Sequence, residues 1–339
     1  MAFSFLSQEI ALDLGTANTF IFMNDKKVVD EPSIVAIDIL SGKPIAVGTI
    51  AKQMHERTNP TIKTIRPLKD GVIADFDAAE MMIREFIKMI NPKRRLFSPS
   101  LKMVVCVPKG STEVEIRAVR DSSEHSGGRD VYMIFEPMAA ALGIGLDVLA
   151  PSGNMIVDIG GGTTEIAVIS LGGIVADASI RVGGDLFTSD IQQYMHTQHN
   201  IKIGEITAED IKVSIGAAIS DLEDAPEPYT VTGPNMMTAH PVTTEVTPQE
   251  IAHCLDKSIV KIEAAILQVL EYTPPELYSD IVEKGIYLTG GGALLRGLDQ
   301  RLTKKINIPF HVSEDPLRAV ARGTCIALKN TDKFKFLLR

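Results

Sequence analysis

Two short segments combine an aspartate with glycines and small polar residues, a combination suited to binding phosphate groups. They read DLGTANT at residues 13–19 and DIGGGTT at residues 158–164. Glycine lets the backbone approach phosphate oxygens closely, and its amides donate hydrogen bonds without needing a basic side chain. Asp13 and Asp158 could hold Mg²⁺ through its water shell, the usual way in which proteins keep this ion. Further donors are expected from the polar side chains of the two segments: Thr16, Asn18, Thr163 and Thr164.

The alternative for each segment is an ordinary hairpin turn with no ligand. Because the two copies match in their aspartate, their glycines and their flanking apolar runs, the phosphate site is the favoured interpretation.

A third glycine-rich segment, TGGGA at residues 289–293, follows an apolar run and precedes a helix predicted to begin at Leu294. Bare glycines at a strand-to-helix turn permit a flat base or an α-phosphate to pack on the backbone. No Lys-Ser or Lys-Thr pair follows the glycines, so this is not a Walker A loop. A tight turn without a ligand is the alternative.

Glu136 follows an apolar run and directly precedes Pro137 and a helix of small residues. Ligands of α/β proteins gather at the carboxyl ends of strands. A carboxylate there can orient or deprotonate a water molecule for in-line attack on a γ-phosphate. The alternative is an acidic residue at a helix start, where the helix dipole favours negative charge.

Apolar, β-branched runs alternate with helical patterns and put these residues at strand ends. The predicted strands are Ile10–Leu14, Thr19–Met23, Met103–Val107, Val131–Phe135, Met155–Ile159, Glu165–Ser170 and Gly285–Thr289. An apolar stripe predicts a helix over Asp77–Ile90, and capping signals predict helix starts at Thr112, Thr207 and Thr247. The alternation predicts an α/β fold.

The two aspartate segments begin 145 residues apart, close to half the chain length, and each joins two runs that can pair as a hairpin. We therefore predict a duplicated, two-lobed molecule in which each lobe is a mixed sheet with flanking helices. The first lobe is expected over residues 1–145 and the second over 146–319, with residues 320–339 returning to the first. Turn-rich stretches at about 33–75 and 181–245 predict a small inserted subdomain in each lobe.

Composition limits the possible ligands and compartments. A net charge of −9 argues against a nucleic-acid partner, because an acidic surface repels phosphate backbones. Three widely separated cysteines predict neither a structural zinc site nor a disulfide framework, which suits a reducing cytosol. The seven histidines are scattered, and surface positions are expected for them. No signal peptide or membrane-spanning run is recognised.

Two apolar segments suit a shallow membrane anchor. Phe3 and Phe5 precede the first strand, and Leu96 and Phe97 follow three basic residues, Lys93–Arg95. Basic residues attract anionic headgroups while neighbouring apolar side chains enter the interface. The alternative is that these side chains fold back onto the core.

Together these residues resemble the ATPase superfamily of actin, DnaK chaperones and sugar kinases, and within it the MreB family of bacterial actins. The similarity runs from about residue 8 to 328 and extends beyond the glycine-rich segments. It includes EPMAAA at 136–141, RPLKDGVIADF at 66–76, RVGGD at 181–185, TPPEL at 273–277 and EDPL at 314–317.

The resemblance implies a four-subdomain, actin-like ATPase fold with ATP or ADP and Mg²⁺ in the cleft between two lobes. It further implies a cytoplasmic protein that polymerises on the inner face of the bacterial cytoplasmic membrane, directs cell-wall synthesis and determines cell shape. Membrane proteins of the rod-shape machinery, such as RodZ, MreC and MreD, are implied partners. ATP hydrolysis would be coupled to filament dynamics rather than to metabolism, and whether the chain counts as an enzyme stays open.

The resemblance also implies roles for individual residues. Glu136 would position the attacking water, with Thr164 helping. Phosphate contacts are implied for residues of the first two glycine-rich segments: Asp13, Gly15, Thr16, Ala17, Asn18, Asp158, Gly160, Gly161, Gly162 and Thr163. Nucleoside contacts are implied for two further segments: Glu209, Asp210, Ile211 and Lys212, and Gly290, Gly291, Gly292 and Ala293.

A second function remains possible on the same fold, namely a small-molecule kinase of the sugar or acetate type. Such an enzyme needs a base for the substrate hydroxyl, and the sequence offers no second carboxylate motif for that role.

Overall fold

The computed structural model describes residues 7–23, 26–90 and 100–338 of the chain. Its strands are β1 (Ser7–Leu14), β2 (Asn18–Met23), β3 (Lys26–Pro32), β4 (Val35–Asp38), β5 (Pro44–Val47), β6 (Ile62–Ile65), β7 (Leu68–Lys69), β8 (Val72–Ile73), β9 (Ser100–Val107), β10 (Gly128–Phe135), β11 (Asn154–Ile159), β12 (Thr164–Ser170), β13 (Gly173–Ile180), β14 (Tyr229–Pro234), β15 (Pro241–Val246), β16 (Ile286–Thr289) and β17 (Phe310–Val312). Its helices are α1 (Gly48–Met54), α2 (Phe76–Ile90), α3 (Glu113–His125), α4 (Glu136–Gly143), α5 (Gly184–Gln198), α6 (Glu205–Ile215), α7 (Pro248–Glu271), α8 (Pro275–Lys284), α9 (Leu298–Ile306) and α10 (Ala319–Lys329).

Two five-stranded sheets of described residues have the same internal order. The first runs β3-β2-β1-β9-β10 and the second β13-β12-β11-β16-β17. In each, the first three strands are antiparallel and the last two continue parallel to the third. The repeat seen in the sequence is therefore a repeat of whole sheets, which confirms the two-lobed α/β prediction.

Both glycine-rich aspartate segments are hairpin turns at equivalent places. The first joins β1 to β2, where Leu14 pairs with Thr19, and the second joins β11 to β12, where Ile159 pairs with Thr164. Side chains alternate between the two faces of a strand, so each aspartate lies on the opposite face from its apolar neighbours. Both hairpins were predicted, and the structure confirms them.

Smaller sheets accompany the first and second sheets. Strands β5-β4-β6 form a three-stranded sheet with α1 packed against it, and β7-β8 form a short hairpin. Strands β14-β15 form a two-stranded hairpin between α6 and α7 in the chain.

Helices α4 and α10 pack against each other between the two sheets, in a core that includes Ala11 of β1 and Ala167 of β12. Their backbones touch. A Cβ atom at Gly143 would lie 1.8 Å from the Ala319 carbonyl oxygen, and one at Gly323 would lie 1.7 Å from that of Ala139. Only glycine permits this approach.

All seven predicted strands and the helix over 77–90 are confirmed, with ends that differ by a few residues. Thr112 and Thr247 cap α3 and α7 with complete capping boxes, as predicted. Two predicted helix starts are wrong. Helix α6 begins at Glu205 with Gly204 as its N-cap, so Thr207 lies inside it. Leu294 ends a 3-10 turn over Gly291–Leu294, and α9 begins only at Leu298.

Candidate functional site

A cavity of about 570 Å³ is lined by residues of both five-stranded sheets and their turns, of segments that flank the small sheets of residues 35–73, and of helices α5 and α6. The structure brings most of the predicted site residues to its wall: Asp13, Gly15, Thr16, Ala17, Asn18, Glu136, Asp158, Gly160, Gly161, Gly162, Thr163, Glu209, Lys212, Gly290, Gly291 and Gly292. Residues from segments nearly 300 positions apart thus share one site.

The first two glycine-rich turns approach each other across the cavity. A Cβ atom on Gly161 would lie 2.8 Å from the Cβ atom of Ala17, and one on Gly162 would lie 2.9 Å from the Thr16 hydroxyl. The Thr16 hydroxyl accepts a hydrogen bond from the Gly71 amide at 3.0 Å. Glycine is needed here because two backbones meet, and the close approach leaves backbone amides near the cavity where phosphate oxygens could bind.

The third glycine-rich turn packs on the end of β11. Gly290 has a φ of 79°, and a Cβ atom there would lie 2.3 Å from the Ile159 carbonyl oxygen. Just before it, the Thr289 hydroxyl donates a hydrogen bond to Asp158 Oδ1 at 2.8 Å. The turn therefore forms a bare backbone wall beside one of the two aspartates.

Asp13 and Asp158 are buried at the ends of β1 and β11. Burial raises the pKa of Asp13 to about 7, and the charge of Asp158 adds to the rise although the Cys106 thiol opposes it. Burial likewise raises the pKa of Asp158 to about 6, against the lowering effect of Thr289. Each carboxylate uses Oδ1 in its one hydrogen bond to a described residue, which leaves Oδ2 free for a cation or its water shell.

Glu136 is the first residue of α4, half-buried on the cavity wall. Its side chain makes no hydrogen bond or ion pair with another described residue, so both oxygens are available to a water molecule. Burial raises the pKa of Glu136 well above its ordinary value, and the nearby charges of Glu165, Asp158 and Asp13 raise it further. Such a carboxylate is a better proton acceptor than an exposed one.

Helix α6 contributes a charged pair at another part of the wall. Lys212 Nζ donates to the Gly184 carbonyl at 2.8 Å and to the Thr188 hydroxyl at 3.0 Å, and lies 2.6 Å from Glu209. Burial opposes ionisation of Glu209, but Lys212 and Thr188 together bring its pKa below the ordinary value. Glu209 therefore favours its ionised form, and these contacts hold the Glu209–Lys212 pair in place.

Four predicted site residues lie away from the wall. Thr164 is fully buried, and its hydroxyl donates to the Val182 carbonyl at 2.6 Å. Ile211 and Ala293 belong to the hydrophobic core of the second sheet, and Asp210 is exposed on the outer side of α6. Each is a chain neighbour of a wall residue but points elsewhere, because helix and strand periodicity separates adjacent side chains.

The sequence analysis missed a charged cluster across the cavity mouth. Arg66 lies 2.5 Å from Glu205 and 3.6 Å from Asp185, and His55 Nε2 lies 3.3 Å from Glu205. His55 is half-buried, contrary to the surface position expected for it. The segment over 66–76 contains Arg66, but no local pattern connects Arg66 or His55 with Asp185 and Glu205, which lie about 120 to 150 positions further along the chain.

The donor set suits a magnesium ion held through water. Among the residues that the structure describes, no group of three or more His, Cys, Asp or Glu side chains could enclose a metal by itself. Asp13 and Asp158 nevertheless face one cavity as buried carboxylates whose charges disfavour each other. A divalent cation bound between these two carboxylates and a polyphosphate would relieve that repulsion. Mg²⁺ commonly keeps several waters, so the two carboxylates could hold it through its water shell.

The proposed membrane residues Phe3, Phe5, Leu96 and Phe97 lie outside the described residues. Within the described ranges, none of the helices is both long and apolar enough to cross a membrane.

Comparison with known proteins gives a consistent result. The sequence model of the MreB/Mbl protein family matches residues 7–336. The cell shape-determining protein Mbl of Bacillus subtilis is 46% identical over 328 residues, covering 96% of this chain and 97% of Mbl. The cell shape-determining protein MreB of Escherichia coli is 47% identical over 331 residues, covering 96% of this chain and 94% of that protein.

Solved structures agree with the sequence comparison. The crystal structure of MreB 5 of Spiroplasma citri bound to AMPPNP superimposes with a TM-score of 0.90 at 35% identity, covering 96% of this chain and 97% of the other. A structure of the same protein bound to ADP gives the same TM-score at 34% identity, covering 96% of this chain and 99% of the other. The MamK double helical filament, at 20% identity and a TM-score of 0.78 over 96% of this chain and 99% of the other, shares the fold.

Proposed function

Since this chain belongs to the MreB/Mbl family of bacterial actin-like cytoskeletal proteins, we propose that it binds and hydrolyses ATP and polymerises into filaments. The observation that carries this proposal is the convergence of three glycine-rich turns, two aspartates and Glu136 on one cavity. Relatives named as cell shape-determining, and a solved neighbour bound to AMPPNP and to ADP, support the same function. These findings do not favour the alternative of a small-molecule kinase.

In this proposal the first two turns hold the phosphates of ATP through backbone amides and the Thr16 and Thr163 hydroxyls. The third turn and the Glu209–Lys212 pair hold the nucleoside. The proposal leaves out Thr164, Asp210, Ile211 and Ala293 as direct contacts, because their side chains point away from the cavity.

Hydrolysis is then an attack by water on the γ-phosphorus. The water oxygen forms the new bond while the bond to the β-phosphate oxygen breaks, so that ADP departs with that electron pair. Glu136 accepts a hydrogen bond from the water, aligns it and receives its proton. Mg²⁺, held through water by Asp13 and Asp158, would offset the phosphate charge.

Assembly and location follow from the family as proposals. The filament would lie in the cytoplasm on the inner membrane face, direct cell-wall synthesis together with RodZ, MreC and MreD, and determine cell shape. Phe3, Phe5, Leu96 and Phe97 are the candidate membrane contacts, because bulky apolar residues beside basic ones suit the headgroup region.

The division into lobes at residue 145, with inserts at about 33–75 and 181–245, is proposed as well. Separate small sheets within each insert support it, as does the pairing of Leu338 with Met133 of β10, which returns the C-terminal segment to the first sheet.

The direct test of this function is negative-stain electron microscopy of the pure protein with Mg-ATP, with and without an anionic lipid monolayer. We expect filaments that lie on the lipid. Bare lipid, together with measured ATP binding and phosphate transfer to a sugar, would overturn the cytoskeletal proposal in favour of the kinase.

The water-positioning role is tested by Glu136→Gln, which keeps the size of the side chain but removes the negative charge. We expect unchanged ATP binding and filament formation, with phosphate release slowed roughly 100-fold, the usual range for losing a general base. Phosphate release at the wild-type rate would remove Glu136 from the mechanism.

A further inference from the structure

Each of the two buried aspartates of the cavity receives a hydrogen bond from a side chain on the neighbouring parallel strand. The Cys106 thiol of β9 donates to Asp13 Oδ1 at 3.0 Å, and the Thr289 hydroxyl of β16 donates to Asp158 Oδ1 at 2.8 Å. An ionised carboxylate only accepts hydrogen bonds, so the thiol and the hydroxyl are the donors. Each aspartate is therefore held through one of its two oxygens.

Cys106 and Thr289 occupy equivalent places in the internal repeat. Strand β9 is the parallel neighbour of β1 in the first sheet, and β16 is the parallel neighbour of β11 in the second. Asp158 pairs with Thr289 in register, and the pair Leu12–Val105 directly precedes Asp13 and Cys106. The repeated sheets thus place a side-chain donor beside each aspartate, a thiol in the first sheet and a hydroxyl in the second.

Both hydrogen bonds are removed from solvent. Asp13 is 8% exposed and Asp158 is 5% exposed, while Cys106 is 2% exposed and Thr289 is fully buried. Cys106 belongs to the apolar core between the two sheets, where a cysteine packs as a small apolar residue and still offers a donor. Hydrogen bonds are electrostatically stronger in such surroundings than in water, and a buried carboxylate that loses its donor is destabilised.

A donor on one oxygen fixes the orientation of a carboxylate. The terminal torsion of an aspartate side chain has a broad energy profile, so a carboxylate without a partner turns readily. The thiol and the hydroxyl oppose that rotation and leave Oδ2 for a ligand. At Asp158 the third glycine-rich turn also lies against the held oxygen, since a Cβ atom on Gly290 would lie 2.9 Å from Oδ1.

We propose that Cys106 and Thr289 are equivalent positioning residues for magnesium binding. Each holds Oδ1 of its aspartate, so that Oδ2 keeps the orientation that binds the water shell of the ion. This role rests on the proposed function, in which Asp13 and Asp158 hold Mg²⁺ through water. Neither Cys106 nor Thr289 is among the residues that line the cavity, so both act through the aspartates. Side chains that orient the groups holding a metal contribute strongly to metal affinity.

Cys106→Ala and Cys106→Ser form a matched pair, because alanine and serine are close in size and only serine keeps a donor. The measurement is the affinity for a fluorescent, non-hydrolysable ATP analogue as Mg²⁺ is added stepwise to chelator-treated protein. We expect Cys106→Ala to raise the Mg²⁺ concentration of half-maximal tightening about tenfold, the lower end of the usual effect of losing such a partner. Cys106→Ser should recover most of the wild-type dependence.

The Kd of the same analogue without Mg²⁺ separates positioning from structural damage. It should be unchanged in both variants, because a distorted cavity would weaken binding with and without the ion. Equal magnesium dependence of Cys106→Ala and Cys106→Ser would show that the donor has no role and would overturn the proposal.

Thr289→Val tests the equivalent hydroxyl, because valine nearly keeps the shape of threonine without the donor. We expect the same rise of about tenfold in the Mg²⁺ concentration, with Thr289→Ser close to wild type. This variant decides the matter should Cys106→Ala fail to fold. Wild-type magnesium dependence in Thr289→Val, or in a folded Cys106→Ala, overturns the proposal.

Two further comparisons complete the experiment. Cys254→Ala removes a thiol that packs against the core of the second sheet and should leave the affinity with and without Mg²⁺ unchanged. If the nucleotide affinity of the wild type itself did not respond to Mg²⁺, the magnesium site of the proposed function would fail together with this role. A wild type that responds to Mg²⁺, with variants that respond equally, overturns the positioning role alone.

Discussion

Burial controls the chemistry of the individual carboxylates around the cavity. Asp13, Asp158, Glu136 and Glu165 are all held at raised pKa values, with loss of water as the largest cause for each. Without a cation, ionising these groups costs free energy that the folded protein must bear. The site is therefore adapted to a positively charged ligand. Without that ligand, the stability of the folded protein depends on pH.

Asp13→Asn should stabilise the ligand-free protein at alkaline pH. The folded pKa of Asp13 is about 7 against an ordinary value of 3.8, so the native state binds more protons than the unfolded state between these pH values. The free energy of unfolding of the wild type therefore decreases as pH rises through this window. We expect the Tm of the variant minus that of the wild type to be larger at pH 8 than at pH 5, measured without nucleotide or Mg²⁺.

Asp38→Asn is the matched control for this pH effect. Asp38 is the last residue of β4, and hydrogen bonds from the Ser41 side chain and backbone lower its pKa. Its ionised form stabilises the fold, so this variant should show a small change of the opposite sign at pH 8. A Tm difference for Asp13→Asn that stays constant from pH 5 to pH 8 would contradict the assignment of a burial penalty to Asp13.

Tight contacts between helix backbones fix the position of Glu136. Helix α4 begins at Glu136 and ends at Gly143, where it touches α10 at Ala319. Because the helix backbones meet without side chains between them, the position of α4 is fixed at the end opposite to Glu136. Any increase in the distance between α4 and α10 would also move Glu136 at the start of α4.

Gly323→Ala should be strongly destabilising for this reason. The new methyl group would lie 1.7 Å from the Ala139 carbonyl oxygen, and both atoms belong to rigid helix backbones. We expect a loss of about 3 kcal/mol or more in the free energy of unfolding, at the upper end of typical overpacking costs. Urea denaturation of the ligand-free protein measures it. Gly173→Ala, whose nearest contact would be Ser170 O at 3.7 Å, should change stability by less than about 1 kcal/mol.

At this scale the sequence was most informative where the signals are local. The hairpins around residues 13–19 and 158–164 and the capping boxes at Thr112 and Thr247 depend on neighbouring residues only. Thr207 was misleading because the same residue types also fit the first turn of a helix that Gly204 begins. Thr164 was assigned as a donor from its place in the glycine-rich segment and as a catalytic residue from the resemblance, whereas its pairing opposite Ile159 decides which face it occupies.

At the scale of the whole molecule, the cavity depends on contacts between distant parts of the chain. The Glu205 amide donates to the Glu56 carboxylate, and the Glu205 side chain contacts His55 and Arg66. These partners are about 140 to 150 residues apart, so no local spacing could have predicted them. They join the small sheet at β6 to α6 across the mouth of the cavity, which makes them the candidate restraint on nucleotide exchange.

Breaking this restraint with Arg66→Ala should speed nucleotide release. The Arg66–Glu205 pair is about one third exposed, so its contribution is expected near 1 kcal/mol, or about a fivefold faster release at low salt. The effect should shrink in 1 M salt, where the screening length is only about 3 Å. Stopped-flow displacement of a fluorescent ATP analogue gives the rate.

Because Arg66 also lines the cavity, a direct contact with the nucleotide must be distinguished from a restraint between the two sides of the mouth. The exchanged pair Arg66→Glu with Glu205→Arg restores the opposite charges across the mouth but reverses the charge on each wall. If the mouth contact controls release, this double variant should recover most of the wild-type rate, whereas a direct phosphate contact would leave it fast. Arg84→Ala, which breaks an ion pair with Glu80 on the surface of α2, should leave the rate unchanged. Release from Arg66→Ala at the wild-type rate in low salt would show that the closed mouth does not limit exchange.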